Sequence, residues 1–133
     1  MNERPLQYDG ERLVPHDPRL KNLLTEDLAK FHFASQDVAD KIILDAGCGA
    51  GQGTAHIASK GARHVIGIDV SHEAVSYAAH RFVERRQIPN VSFGRMNVAR
   101  LGFPDRAFDL VTSIEVIEHL FEPRAYLDEI RRV

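Results

Sequence analysis

A chain of 133 residues with 44% hydrophobic and 27% charged side chains has the size and make-up of one globular domain with a buried core. Its net charge of −2 gives no electrostatic footprint for nucleic acid or an anionic membrane, so neither partner is expected. The single cysteine, Cys48, excludes an internal disulfide framework and fits a reducing cytoplasm, and the longest apolar runs are too short for a membrane span.

In chain order, residues 1–16 carry Pro5, Gly10 and Pro15 and read as an irregular arm. A helix then starts at Asp17 as N-cap with Pro18 in its first turn. Leu20, Leu23, Leu24, Leu28 and Phe31 form its apolar face, and it fades near Ala34 to Gln36. Residues 1–36 are thus an arm and a helix ahead of a domain over 37–133. That domain alternates: strand 41–46, helix 52–59 ended by Gly61, strand 63–68 closing on Asp69, and a helix capped by Ser71. Ala74, Val75, Ala78, Ala79, Phe82 and Val83 make the buried stripe of this second helix. Strands follow at 91–96 and 108–113, then helical pieces at 115–120 and 124–133, the last with Tyr126, Leu127, Ile130 and Val133 in helical register. Strands separated by helices imply an α/β, Rossmann-like doubly wound fold, and the nearly continuous apolar strands imply a parallel sheet covered on both faces. With about four strands and no C-cap signal at Val133, the sheet reads as truncated and the domain as incomplete at its C-terminal end.

The first strand runs into Asp45, then Gly47, Cys48, Gly49, Ala50 and Gly51. Glycines at alternate positions allow a tight turn whose N–H groups a ligand approaches without meeting a Cβ, and the next helix points its positive end at the same spot. A nicotinamide or flavin turn wants G-x-G-x-x-G, but Gln52 stands where the third glycine belongs. An acid two residues before the first glycine suits a cationic group better than two phosphates. A cofactor with an adenosine part, an amino-acid ammonium and no phosphate meets both demands, and S-adenosylmethionine is such a molecule. Asp69 ends the second strand 20 residues after Gly49, where a carboxylate can accept from both ribose hydroxyls; a loop acid or helix cap is its bland alternative. Cys48 reads as a small residue tolerated in the turn rather than a nucleophile.

The chain resembles the front part of class I S-adenosylmethionine-dependent methyltransferases. The resemblance rests on Leu44 to Gly51 (LDAGCGAG), Val65 to Ser71 (VIGIDVS), Phe103 to Val111 (FPDRAFDLV), Glu115 to Leu120 (EVIEHL) and the final helix, and covers roughly 37–133. It implies that Gly47, Cys48, Gly49 and Gly51 line the methionine and ribose part, Asp45 reaches the ammonium, and Asp69 with Val70 serves the ribose side. It further implies that Asn97 reads the adenine amino group, flanked by Met96 and Val98, and that Ile114 faces the methionine end. Met96 and Val98 fit core positions equally well. The arm around Asp9 to Pro15 resembles relatives found near glycosyltransferases, which widens the implied acceptor from a small molecule to a lipid or glycan.

Glu115, Glu118 and His119 are spaced to share one helix face beyond the fourth strand. Three readings stand side by side: an ion-paired helix start (favoured for Glu115), a general base at His119 oriented by Glu118, and a divalent-metal site. The catalytic expectation is His119 with Glu118 and no metal, since protein supplies three ligands at most. The alternative is a non-catalytic cofactor-binding module completed by a partner, or by a second copy in a homodimer through the exposed edge of the fourth strand.

Overall fold

A computed structural model describes residues 29–133. The arm, the Asp17–Pro18 helix start and the leucines up to Leu28 lie outside the described residues. Of the first helix (α1) the described part is 29–34, within the predicted end.

Four parallel strands follow: β1 Ile42–Ala46, β2 His64–Asp69, β3 Val91–Arg95 and β4 Leu110–Thr112, ordered β3-β2-β1-β4. The chain crosses outward from β1 to β3 and then returns to the other side of β1. The reversal makes the carboxyl ends of β1 and β4 the topological switch point, the usual ligand position in such sheets. Register places Asp45 level with Gly67 on one side and Thr112 on the other.

Alternation along β1 divides the core. Ile43 faces a cluster with Val38, Ile57, Val65 and Phe82, while Leu44 faces one with Ile68, Val98, Tyr126 and Val133. Ile43 and Leu44 are fully buried, each contributing about 1.5–3 kcal/mol by removal from water. The covering helices are α2 Gln52–Ala58, α3 His72–Ala78 and α4 Pro123–Arg132. Ser71 caps α3 as predicted, accepting the Ala74 N–H. Arg132 of α4 donates to the carbonyls of Leu101 and Phe103 and to Asp105 and Glu129, tying down the loop between β3 and β4.

Three expectations are corrected. After Ala78 the helix widens into a π-helix, Ala79–Arg85, whose slower rotation per residue carries Val83 off the buried stripe into solvent. Leu127 is also exposed, although Tyr126 and Val133 on the same helix are buried. The predicted helix over 115–120 shrinks to a 3-10 turn, Ile117–His119, because Glu115 adopts the left-handed region at φ 55° and cannot continue a helix. Glu115, Glu118 and His119 therefore do not share a helix face.

Candidate active site

The site begins where β1 stops. Gly47, Gly49 and Gly51 all have positive φ. At Gly47 (φ 84°) a Cβ would also fall 2.4 Å from Cγ2 of Val116, so the segment after β4 folds directly over the turn. The turn is knitted internally: the N–H groups of Gly47 and Cys48 both donate to the Ile68 carbonyl at 2.8 Å, and Gly51 N–H donates to Cys48 O at 3.0 Å. Gly49 N–H donates to Oδ2 of Asp69 at 2.9 Å. The expectation that these N–H groups await a ligand is corrected. These four donors, already committed to protein acceptors, are poor phosphate receivers.

Two carboxylates flank the turn. Asp45 is 2% exposed, with Oδ2 accepting from the Thr54 hydroxyl at 2.6 Å and Oδ1 from Thr112 at 3.1 Å. Burial pushes its carboxyl up, the two hydroxyls oppose that, and the nearby Asp69 charge adds to the rise. Asp69 is half-buried; its second oxygen, Oδ1, accepts the Ser71 N–H at 2.9 Å. Each Asp69 oxygen keeps further acceptor capacity. Cys48 is buried, and burial with the charges of Asp45 and Asp69 pushes its thiol well up, which fits a turn residue and not a nucleophile.

Val70, next along, is 63% exposed at the carboxyl end of β2. Met96 is half-buried and Val98 buried, both in the Leu44 cluster, and Met96 Sδ accepts the Gly102 N–H. The structure thus gives both a core contact. Asn97 is exposed, and its carbonyl oxygen accepts the Ala99 N–H at 2.9 Å, so one of that oxygen's two lone pairs is committed to the local turn. Ile114 is half-buried just past β4; Glu118 and His119 are exposed.

Sequence reasoning missed four contributors. Thr54 and Thr112 satisfy Asp45, and asking where a buried carboxylate's lone pairs go would have raised them. Lys30 of α1 forms an ion pair with Glu115, as the ion-paired reading of Glu115 expected, but its partner was not foreseen. Lys30 first, then a hydrogen bond with Glu118, hold the Glu115 carboxyl below its ordinary range, with His119 adding to the effect. Phe31 fills the space above Gly53, where a Cβ would fall 1.9 Å from its ring. The end of α1 therefore spans from α2 to the segment after β4. Both contacts join residues far apart in sequence and carry no local signal.

Together these residues fit the adenosine and amino-acid parts of S-adenosylmethionine: a cradle with no room for a Cβ at Gly47 or Gly51, one buried acid and one half-buried acid. The methyltransferase domain family matches residues 44–133. A probable S-adenosylmethionine-dependent methyltransferase of Mycobacterium tuberculosis is 37% identical over 96% of this chain and 44% of its own length. Ajmaline N-methyltransferase of Rauvolfia serpentina is 34% identical over 89% of this chain and 41% of its own. Magnesium protoporphyrin IX methyltransferase from Synechocystis, solved with bound S-adenosylhomocysteine, superposes with a TM-score of 0.65 at 25% identity, over 83% of this chain and 50% of its own. The chain thus spans about half the length of the relatives it matches. Fold, turn and family match agree: this chain belongs to the class I S-adenosylmethionine-dependent methyltransferases, with S-adenosylmethionine as the family's cofactor.

Proposed function

We propose that this protein transfers the methyl group of S-adenosylmethionine to a small-molecule acceptor, with lipid and glycan acceptors as the wider class the arm suggests. The carrying observation is the pair of carboxylates, Asp45 and Asp69, at neighbouring strand ends around a turn whose N–H groups are internally used. On this reading Asp45 accepts from the cofactor's ammonium, Asp69 takes the ribose hydroxyls with Val70 beside it, and Gly47, Cys48, Gly49 and Gly51 leave room for the chain between them. Asn97 serves the adenine edge, Met96 and Val98 back the ring from the core, and Ile114 closes the methionine end.

Bound cofactor supplies an electrophilic methyl carbon on a sulfonium, so the leaving group is already activated. The protein's tasks are then to hold the acceptor in line and, for a hydroxyl or protonated amine, to remove its proton. His119 would take that proton on its imidazole. Glu118 is its orienting neighbour, and the Lys30–Glu115 pair fixes the segment that carries both. Related small-molecule enzymes such as ajmaline N-methyltransferase support the small-molecule class.

The test is thermal. S-adenosylhomocysteine should raise the melting temperature and NAD should not; a chain unmoved by the first loses the cofactor reading. Mass-detected methylation of hydroxylated and amine small molecules, phospholipids and oligosaccharides then ranks the acceptor classes. A second reading, a cofactor-binding module completed by a second copy, is favoured by β4 lying at the sheet's edge. Light scattering separates the two, since a monomer that turns over ends the module reading.

A further inference from the structure

The feature that the proposed chemistry leaves unused is the pair of hydroxyls on Asp45. Thr54 comes from α2 and Thr112 from β4, and they donate to different oxygens of the β1 carboxylate at 2.6 Å and 3.1 Å. Both threonines are buried. Gly67, level with Asp45 on β2, leaves the room: a Cβ there would sit 2.8 Å from the Thr54 hydroxyl oxygen. Thr112 has a second acceptor in the Leu44 carbonyl at 3.5 Å, yet its shorter bond is to Asp45.

The charged and titratable groups facing Asp45 are the Asp69 carboxylate and the Cys48 thiol. No described Lys or Arg pairs with it. A buried carboxylate with two neutral donors and an anionic neighbour lacks one positive charge. An ammonium group supplies that charge, and the hydroxyls hold the acid in place until it arrives.

We propose that Thr54 and Thr112 are positioning residues for cofactor binding, their hydroxyls holding the Asp45 carboxylate in place to receive the cofactor's ammonium group. The proposal rests on the role given to Asp45 above. It makes the two threonines determinants of amino-acid recognition rather than of adenosine recognition. Without either hydroxyl, Asp45 binds a proton more readily, and that proton must leave before an ammonium can be accepted.

The test compares two ligands that differ in the amino-acid part. S-adenosylhomocysteine carries the ammonium; 5′-methylthioadenosine keeps the adenosine and sulfur but lacks it. Calorimetric titration of the Thr54→Val protein, which removes the hydroxyl at nearly constant volume, should show S-adenosylhomocysteine affinity down roughly tenfold, the scale of one hydrogen bond to a charged group. Affinity for 5′-methylthioadenosine should stay at the wild-type value. The loss should deepen as pH is lowered, because without the Thr54 hydroxyl the buried Asp45 carboxyl binds its proton more readily. Thr54→Ser should restore affinity and pH profile, and Thr112→Val should repeat the pattern in weaker form, its bond being longer.

Equal weakening of both ligands would show a merely structural role and overturn the proposal. A Thr54→Val profile that superimposes on wild type would overturn it too. If Thr54→Val does not fold, Thr112→Val with the same two ligands decides by the same criteria. Wild-type protein that binds neither ligand removes the cofactor reading itself, an outcome distinct from a wild type that binds both while the variants behave identically.

Discussion

At the ends of β1 and β2 the polar groups around the candidate cofactor site already have protein partners: Asp45 holds two threonine hydroxyls, and Asp69 holds two backbone N–H groups. Beyond β4, Glu118 and His119 are exposed and the chain forms one 3-10 turn instead of a helix. The difference follows from covalent context. The glycine turn leads from β1 into α2 and is bonded to the end of β2 through Ile68 and Asp69, whereas the segment after β4 is held by Ser113 on the Ala46 carbonyl, by Val116 and Leu120 against the core and by Lys30 on Glu115. On the proposed reading, a receptor for a constant cofactor faces one for a variable acceptor. This is the division that functional loops on a fixed scaffold commonly show.

Four substitutions break or sharpen this contrast. The largest effect is expected on the acceptor side: His119→Ala should lower kcat about a hundredfold or more for an acceptor that must lose a proton. S-adenosylhomocysteine affinity should stay intact, checked by steady-state kinetics beside calorimetry. On the cofactor side, Asp45→Asn should weaken S-adenosylhomocysteine binding by tens of fold, roughly the value of a buried charged hydrogen bond. The sign of its stability effect is opposite. The folded-state carboxyl is raised above its unfolded value of 3.8, so the folded chain holds the proton more tightly and loses stability as pH rises through that raised value. Above that value the asparagine protein should therefore melt higher than wild type when ligand-free, as differential scanning calorimetry would show.

Gly47→Ala should come third. It combines a left-handed backbone, costing about 1–2 kcal/mol, with a Cβ 2.4 Å from Val116, and should lower both melting temperature and cofactor affinity. The smallest effect belongs to Lys30→Ala, which frees Glu115. Its carboxyl, now held below the ordinary 4.5, should titrate nearer that value, and its protonated fraction near pH 4 (roughly) should rise. Carbon-detected NMR titration reads this directly. Cofactor affinity should not change, and a large loss would mean that α1 belongs to the cofactor side after all.

Much of the cofactor side was legible because its signals are local. An apolar β-branched run, an acid and spaced glycines define a strand and a turn within ten residues, and Ser71 marks its helix start through its own side chain. What stayed hidden depends on distant pairings. Glu115 read as a helix start because its spacing to Glu118 and His119 is helical, but a non-glycine left-handed residue has no signature when Glu is the side chain. The bond from Thr112 to Asp45 spans 67 residues and that from Lys30 to Glu115 spans 85, so no window of sequence contains either. Val83 went astray for another reason: the apolar spacing assumed 3.6 residues per turn, and the π-helix does not keep it.

Asp69 has a kinetic consequence. The same carboxylate that would read the ribose already gathers the glycine turn and the start of α3, through Gly49 N–H and Ser71 N–H, before any ligand is present. On the proposed reading the receptor for the sugar is shaped in advance, so little ordering entropy remains to be lost on docking. Adenosine capture should then proceed in a single exponential at a rate proportional to ligand concentration, with no slower rearrangement following it. Any replacement of Asp69 would dismantle the mould and remove the reader at once, so lost affinity there measures both together and never the ribose contact alone.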